Sequence, residues 1–225
     1  MPLIVIEGLD GSGKHTQAEL LQKSLPNSEL IDFPRYSNPS SSLVREHLSG
    51  KTCLDPTIEN PYAASSYYAC DRVISYQTET WRTQLNAGKT IIMDRYVTSN
   101  LIYQAAKLKP EERKEFRAWL WDYEINRLHL PPPDIVIYLQ VNPDITYKMA
   151  EERAKQGESH DENLKGQRDL YEKKLSYQKD CYLSAIEVSQ EYNWEVIPCV
   201  KNNKMRTVED IHMDIIRLIN AKKLL

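Results

Sequence analysis

Apolar positions along the chain form short, fully apolar runs that alternate with stretches of helical spacing. The first run, Leu3 to Glu7, is rich in β-branched residues, which is typical of a strand buried on both faces of a parallel sheet. Further runs occupy Leu30 to Phe33, Thr90 to Met93, Ile135 to Val141 and Trp194 to Ile197. Long helical patterns separate them, so the sequence predicts a single α/β domain over residues 1–225. Its parallel, doubly wound sheet has about five strands with helices on both faces.

Polar and turn residues mark where the helices begin and end. Asn60-Pro61 and Asn142-Pro143 each place a capping side chain before a proline suited to the first helical position. Gly88 suits the left-handed residue that closes a helix begun at Pro61. The polar stretch 154–167 contains glycine and predicts a mobile loop between two late helices.

Composition and charge narrow the class of protein. The 225 residues include 29 basic and 32 acidic side chains, a net charge of −3, which argues against a nucleic-acid partner. The longest aliphatic and aromatic run, Ile135 to Leu139, is far shorter than the roughly 20 residues that span a bilayer. Glu7 and Asp10 interrupt the apolar stretch that a secretory signal needs, and the four cysteines are widely separated. We therefore expect a cytoplasmic protein with reduced thiols and no membrane contact.

Three of only seven glycines cluster directly after the first predicted strand. The segment from Gly8 to His15 fits G-x-x-x-x-G-K, a loop whose backbone N–H groups cradle phosphates while Lys14 supplies a mobile positive charge. The loop predicts a nucleoside triphosphate site, with ATP as cofactor. The residues predicted to hold the nucleotide are Gly8, Asp10, Gly11, Ser12, Gly13, Lys14, His15 and Thr16.

His15 stands where this loop usually carries the hydroxyl of Ser or Thr, a ligand of Mg²⁺. Thr16 does not replace it, because one step along a helix turns a side chain by about 100°. We therefore expect Mg²⁺ to be held mostly by phosphates, water and carboxylates, with His15 as a spacer or a contact beside the phosphates.

Charged residues follow two of the predicted strands. Asp94 and Arg95 come directly after one strand, and Arg35 follows another. Because the carboxyl ends of parallel strands meet at one edge of a sheet, the two arginines are placed to clamp a phosphate with charge-assisted hydrogen bonds. A surface salt bridge is the alternative for each of them.

Tyr68 and Arg72 are four residues apart on the predicted helix from Pro61 and therefore share one face. One can stack on a base while the other donates to the edge of the base. Aromatic residues at helical spacing fit a plain core equally well, and the residues alone leave both readings open.

Several segments together resemble the thymidylate kinase family, in the family's order: Ile6-Glu7-Gly8-Leu9-Asp10-Gly11, Asp32-Phe33-Pro34-Arg35-Tyr36, Tyr68-Ala69-Cys70-Asp71-Arg72, Asp94-Arg95-Tyr96-Val97-Thr98-Ser99-Asn100, Leu130-Pro131-Pro132-Pro133-Asp134 and Asp169-Leu170-Tyr171-Glu172. The resemblance covers Leu3 to about Ile197. It implies a nucleoside monophosphate kinase fold, the reaction of ATP and dTMP to ADP and dTDP on the way to dTTP, Mg²⁺ as cofactor, and a homodimer.

The resemblance also implies roles for individual residues. Tyr68 stacks on the base, Arg72 contacts thymine, Asn100 lies near the base edge, and Tyr103 crowds the ribose 2′ carbon and favours a deoxyribonucleotide. The whole set expected around the acceptor is Asp10, Phe33, Arg35, Tyr36, Tyr68, Arg72, Arg95, Ser99, Asn100, Tyr103, Tyr171 and Glu172. Asp10, Asp94 and Glu172 are the candidates to position Mg²⁺ or its waters.

Members of this family carry a catalytic arginine either in the phosphate loop or in a lid. Because Gly11 and Ser12 leave the loop without one, we expect the lid, at about residues 153–168, to supply it. Arg153 is the first choice, and Lys155, Lys165 and Arg168 follow. The expected catalytic set is Lys14, Asp10, Arg95 and Arg153. A solvated mixed-charge helix end is the alternative for this stretch.

Three other functions compete with this one. The first is a monophosphate kinase for dUMP, UMP or CMP, because a thymine methyl group contributes only about 1 to 3 kcal/mol of discrimination. A GTPase switch is disfavoured because the sequence contains no N-K-x-D guanine signature. A catalytically silent nucleotide-binding module is kept open by His15.

Overall fold

The computed structural model describes residues 2–52, 55, 57–155 and 175–224, with the side chains of 150–155 left out. Most of the predicted lid and of the stretch expected to be a mobile loop lies outside the described residues. Tyr171 and Glu172 also lie outside them, as does the side chain of Arg153.

Five parallel strands form the central sheet, as the apolar runs predict. Their bounds are β1 Leu3–Gly8, β2 Ser28–Asp32, β3 Thr90–Asp94, β4 Ile135–Gln140 and β5 Glu195–Pro198. The order across the sheet is β2-β3-β1-β4-β5, which leaves β1 in the centre with every residue buried. In the register of β1 with β3, Ile6 lies opposite Asp94.

Alternate strand residues enter two separate cores, one on each face of the sheet. Val5 and Met93 belong to one core, and Ile4 and Ile92 belong to the other. Both faces are covered, which explains why these strands are apolar throughout rather than alternating with polar residues. The predicted doubly wound α/β class is confirmed.

Nine α-helices lie within the described residues, and no described helix is long and apolar enough to cross a membrane. They are α1 Lys14–Ser24, α2 Ser42–Leu48, α3 Pro61–Thr78, α4 Trp81–Asn86, α5 Val97–Tyr103, α6 Pro110–Trp121, α7 Pro143–Lys155, α8 Leu175–Glu191 and α9 Val208–Ala221. A π-helix, Asp122–Arg127, follows α6, and a short hairpin of β6 Val200–Lys201 and β7 Lys204–Met205 precedes α9.

The prediction of a single helix from Pro61 to Gly88 is wrong, because the helix is interrupted between α3 and α4. The side chain of Asn60 caps α3 as expected and accepts from the backbone of the first turn. Glu79 is extended at the other end, where its carboxylate pairs with Arg35. Trp81 then turns into the core, fully buried, and its Nε1 donates to the Ser75 hydroxyl at 3.0 Å. Gly88, with a positive φ of 84°, follows the end of α4 instead.

His47 is a fully buried histidine in α2, beside the aromatic residues of α3. Its Nδ1 lies 2.7 Å from the Glu59 carboxylate, and its ring packs edge-on against Tyr68 with the centroids 6.0 Å apart. Burial lowers the pKa of His47 to about 4 despite the Glu59 carboxylate. The ring is therefore neutral near pH 7.

His47 should make the protein less stable in mild acid. Its pKa is lower in the folded than in the unfolded chain, so its contribution is complete above pH 6.5 and is lost as the pH falls from 6.5 towards 4. Between pH 7 and pH 5 the loss is on the order of 2 kcal/mol of unfolding free energy. Denaturant unfolding at both pH values should show His47→Gln losing less stability than the wild type.

The exposed His129 provides the control for this measurement. His129→Asn should keep the pH dependence of the wild type. A His47→Gln variant with the same pH dependence as the wild type would contradict this account of the buried ring.

Candidate nucleotide and phosphate site

A cavity of about 580 Å³ opens at the carboxyl ends of the central strands, where parallel α/β sheets bind ligands. It brings together most residues that the sequence singles out: Asp10, Gly11, Gly13, Lys14, His15, Thr16, Phe33, Tyr36, Tyr68, Arg72, Asp94, Arg95, Ser99, Asn100 and Tyr103 line it. Gly8, Ser12 and Arg35 are not among the lining residues. The cavity therefore joins the glycine loop to the charged strand ends and to the tyrosines of α3 and α5.

The glycine loop connects β1 to the N-terminus of α1. Gly11 and Gly13 adopt positive φ angles of 77° and 86°, which side-chain-bearing residues rarely take. Gly8 has no room for a side chain, since a Cβ there would lie 2.4 Å from the Ser12 hydroxyl and 3.0 Å from the Leu139 carbonyl oxygen. The sequence therefore makes a tight backbone cradle at the positive end of a helix dipole.

Lys14 is the first residue of α1 and is mostly buried. Its ammonium donates to the Leu9 carbonyl at 3.0 Å and lies 3.6 Å from the Asp10 carboxylate. Burial, together with the charge of Arg95, lowers the pKa of Lys14. The Asp10 carboxylate opposes that shift.

Arg95 immediately follows β3 and takes a positive φ of 67°, which turns its side chain back toward the glycine loop. Its guanidinium pairs with the Asp10 carboxylate and lies over the Tyr103 ring, 5.3 Å from the centroid. Burial alone would raise the pKa of Asp10, but the charges of Arg95 and Lys14 outweigh it and lower that pKa. Asp10 is consequently ionised between two cations at the floor of the cavity.

Glu7 is a fully buried carboxylate behind this pair, and the sequence did not single it out as a site residue. It accepts hydrogen bonds from Thr98 Oγ1 at 2.6 Å and from Ser99 Oγ at 2.9 Å. Burial raises its pKa, although the charge of Arg95 opposes the shift. Glu7 thereby ties the start of α5 to β1 and fixes the Ser99 side of the cavity.

His15 pairs with Asp94 rather than standing free beside the loop. Its Nδ1 lies 2.9 Å from Asp94 Oδ2, and this hydrogen bond raises the pKa of the largely exposed imidazole. The other carboxylate oxygen, Asp94 Oδ1, is buried and has no hydrogen-bond partner among the described residues.

The oxygens of Asp10 and Asp94 are of the kind that Mg²⁺ takes, and both side chains line the cavity. No group of three or more His, Cys, Asp or Glu side chains suited to a metal occurs in the part of the chain that the structure describes. The carboxylate chemistry of Asp10 and Asp94 fits a divalent ion at this place.

Arg35, the second arginine of the predicted phosphate clamp, has carboxylate partners in the structure. Its guanidinium makes two hydrogen bonds to Glu79, at 3.1 and 2.6 Å, and another to Asp32 at 2.6 Å. Two carboxylates hold the side chain outside the cavity lining, whereas its neighbour Tyr36 lies within it. Arg95 lines the cavity, and the expected role of Arg35 beside it in a phosphate clamp stays a prediction.

Tyr68 and Arg72 both line the cavity, as their shared helix face predicts. Arg72 is buried and forms a paired contact with Glu124, a fully buried residue of the π-helix. No sequence pattern points to Glu124, because it lies 52 residues from Arg72 in a segment without a regular helical or strand pattern.

The model of the family described as thymidylate kinase matches residues 6–196 of the chain. The probable thymidylate kinase of Methanocaldococcus jannaschii is 33% identical over 219 residues, covering 95% of this chain and 93% of that protein. The thymidylate kinase of Schizosaccharomyces pombe is 30% identical over 224 residues, covering 97% and 91%.

Solved structures agree with the sequence matches. The structure of thymidylate kinase from Candida albicans superposes with a TM-score of 0.70 at 25% identity, covering 99% of this chain and 92% of that chain. The thymidylate kinase structure from Ehrlichia chaffeensis has a TM-score of 0.62 at 17% identity, with 97% and 98% coverage, and supports the fold alone.

Proposed function

The chain belongs to the thymidylate kinase family, and we infer from this premise that it transfers the terminal phosphoryl group of ATP to dTMP, giving ADP and dTDP. The observation that carries the assignment in the structure is the joining of two phosphate-binding elements in one cavity. The glycine loop with Lys14 lines the cavity, and Arg95 contacts that loop through its ion pair with Asp10. A monophosphate kinase for dUMP, UMP or CMP is not favoured by these relatives.

The donor phosphates fit the glycine loop. Lys14 and the backbone N–H groups of the loop would hold the β- and γ-phosphates, where the α1 dipole adds to their attraction. Phosphoryl transfer requires little covalent chemistry from a protein, so catalysis rests on alignment and on neutralising the charge of the transferred group.

The acceptor monophosphate fits beside Arg95. Its guanidinium is held by Asp10 on one side and by the Tyr103 ring on the other, so its direction is fixed before the substrate binds. Tyr68 and Arg72 line the end of the cavity where the base would lie. Tyr103 would crowd a ribose 2′-hydroxyl, as the family resemblance implies.

We propose Mg²⁺ as the second cofactor, held by the nucleotide phosphates with Asp10 and Asp94, and with Glu172 from outside the described residues. When bound, Mg²⁺ would supply positive charge that offsets the charge of the phosphates. The contact of His15 with Asp94 keeps the Asp94 carboxylate turned toward the loop. His15, which stands where the loop usually carries a hydroxyl, therefore has a positioning role.

The whole chain is proposed to act as one kinase domain, with small molecules rather than nucleic acid as its partners. A cytoplasmic location and a homodimer complete the proposal. Half-exposed apolar Ile74 on α3 supports a self-association surface on that helix. Light scattering after gel filtration should give the mass of two chains; the mass of one chain would contradict the dimer.

Product analysis tests the function directly. Purified protein should convert dTMP with ATP and Mg²⁺ to dTDP, should act more weakly on dUMP and poorly on UMP and CMP, and should release little phosphate from GTP alone. GTP hydrolysis without a monophosphate as the main activity would contradict the kinase assignment. Tyr103→Ala provides the matched specificity variant, and it should improve the use of ribonucleotides.

Arg95→Ala should lower kcat/KM for dTMP about 10- to 100-fold, because it removes charge-assisted hydrogen bonds worth about 1.5 to 3 kcal/mol. The KM for ATP should change little. Steady-state kinetics of Arg35→Ala supply the comparison, since Arg35 is held outside the cavity by Glu79 and Asp32. Equal losses of dTMP affinity in both variants would confirm the two-arginine clamp.

Arg153, near the end of α7, remains the residue predicted to supply the catalytic positive charge of the lid. A transition-state arginine contributes about 10³ to 10⁵ in turnover in phosphoryl-transfer enzymes. Arg153→Ala should therefore lower kcat at least about a hundredfold with little change in dTMP binding, and Arg168→Ala is the comparison. Losses of only a few-fold in both variants would remove this role from the predicted lid.

A further inference from the structure

Arg72 and Glu124 form the most deeply buried of the ion pairs in the described residues, with side-chain exposures of 2% and 0%. Two hydrogen bonds run side by side, from Arg72 Nε to Glu124 Oε2 at 2.7 Å and from Arg72 Nη2 to Glu124 Oε1 at 2.6 Å. Such a two-point contact fixes the plane of the guanidinium as well as its position. Burial of both charges costs free energy that their attraction only partly offsets, so the pair is weak evidence for a purely stabilising role.

The pair leaves one nitrogen of Arg72 for other partners. Nε and Nη2 are taken by Glu124, while Nη1 is 3.4 Å from the Tyr96 carbonyl oxygen, a long contact. Arg72 also lines the cavity, whereas Glu124 does not. The carboxylate therefore holds Arg72 from behind and leaves Nη1 as the donor available to a ligand.

Glu124 holds a second cavity residue in the same way. Asn100 makes a side-chain hydrogen bond to its carboxylate, and Asn100 Nδ2 also lies 3.5 Å from the Ser65 carbonyl oxygen. The amide hydrogens of Asn100 are therefore turned toward protein acceptors. Its Oδ1 remains as an acceptor for a ligand in the cavity that Asn100 lines.

The backbone around Glu124 explains how one carboxylate reaches both partners. Glu124 lies in the π-helix Asp122–Arg127, which extends α6 before the chain enters β4. The Leu128 N–H donates to the Tyr123 carbonyl at 3.0 Å, and the Leu130 N–H donates to the Glu124 carbonyl at 3.1 Å. The wider turn places Glu124 inward, and π-helical turns frequently occur at functional sites.

We propose that Glu124 is a positioning residue for base recognition, which holds Arg72 and Asn100 so that the cavity presents one donor and one acceptor to a pyrimidine with a carbonyl at C4. Thymine and uracil offer the complementary pair, O4 as acceptor and N3–H as donor. Cytosine offers an amino group and an unprotonated nitrogen in the same places, so both contacts are mismatched. The proposal rests on the proposed dTMP kinase function and adds the residue that fixes its base selectivity.

A double-mutant cycle tests this role. Glu124→Gln keeps the shape of the side chain but removes its charge and one acceptor, and Arg72→Met removes the guanidinium. The matched control is Glu187→Gln, which loosens a different pair: Glu187 contacts Arg113 at 2.8 Å and Arg117 at 3.4 Å, and none of these three residues lines the cavity. For each variant we would measure the KM values for dTMP and ATP, the preference for dTMP over dCMP, equilibrium dTMP binding and the melting temperature.

Glu124→Gln should raise the KM and Kd for dTMP at least about tenfold, reduce the preference for dTMP over dCMP, and leave the KM for ATP within about twofold, since a lost hydrogen bond to a charged group is worth about 1.5 to 3 kcal/mol. In the Arg72→Met background, adding Glu124→Gln should weaken dTMP binding less than it does in the wild type, because only the contact with Asn100 is then left to lose. Glu187→Gln should lower at most the melting temperature.

Several outcomes would overturn the proposal: unchanged dTMP binding in Glu124→Gln, equal effects of that change with and without Arg72, or a parallel rise of the KM for ATP.

Should Glu124→Gln fail to fold, Glu124→Asp keeps the charge but withdraws the carboxylate by one methylene. Glu124→Asp should still raise the KM for dTMP, and an unchanged KM would overturn the proposal. Wild-type protein that does not phosphorylate dTMP would instead contradict the proposed function itself.

Discussion

The parallel pairing of β1 with β3 is the constraint on which the site depends. Ile6 lies opposite Asp94 in this register, so the glycine loop after β1 and the Asp94-Arg95 segment after β3 leave the sheet side by side. The Arg95 N–H donates to the Ile6 carbonyl at 3.3 Å and extends the pairing by one residue. Asp10 and Arg95 then meet across a sequence separation of 85 residues. The glycine loop and the Asp94-Arg95 segment are thus joined by strand pairing rather than by proximity in the chain.

Cations and carboxylates are interleaved in the lining of the cavity, where Lys14, Arg72 and Arg95 lie among Asp10, Asp32, Asp71 and Asp94. Lys14, Arg95 and Arg72 are buried or half-buried cations, and Asp10 and Glu124 hold two of them in fixed directions. Isolated charges in such a setting are costly, which is why each has a carboxylate partner. Bound phosphates at the glycine loop would lie beside Lys14 and the backbone N–H groups of the loop. A chain with a net charge of −3 can therefore bind polyanionic nucleotides through a local arrangement of cations.

The sheet and the glycine loop were predicted well from local patterns, because both depend on residues that are close together in the sequence. The five strands begin and end within about two residues of the apolar runs, and Asp94-Arg95 lies at the strand end as expected. Long-range partners were not predictable. Glu79 pairs with Arg35 directly after the end of α3, and Glu124 reaches Arg72 from a π-helix whose sequence gives no periodic signal. Arg153, Tyr171 and Glu172 stay predictions.

The central claim is that the glycine loop and the Arg95 subsite form one continuous site for both substrates. Calorimetric titration with adenosine and thymidine joined through five phosphates tests it most directly, because one such molecule can occupy both subsites only if they are contiguous. We expect one linked molecule to bind per chain and to prevent the binding of both dTMP and a non-hydrolysable ATP analogue. Displacement of only one of these ligands, or binding of two linked molecules per chain, would contradict it.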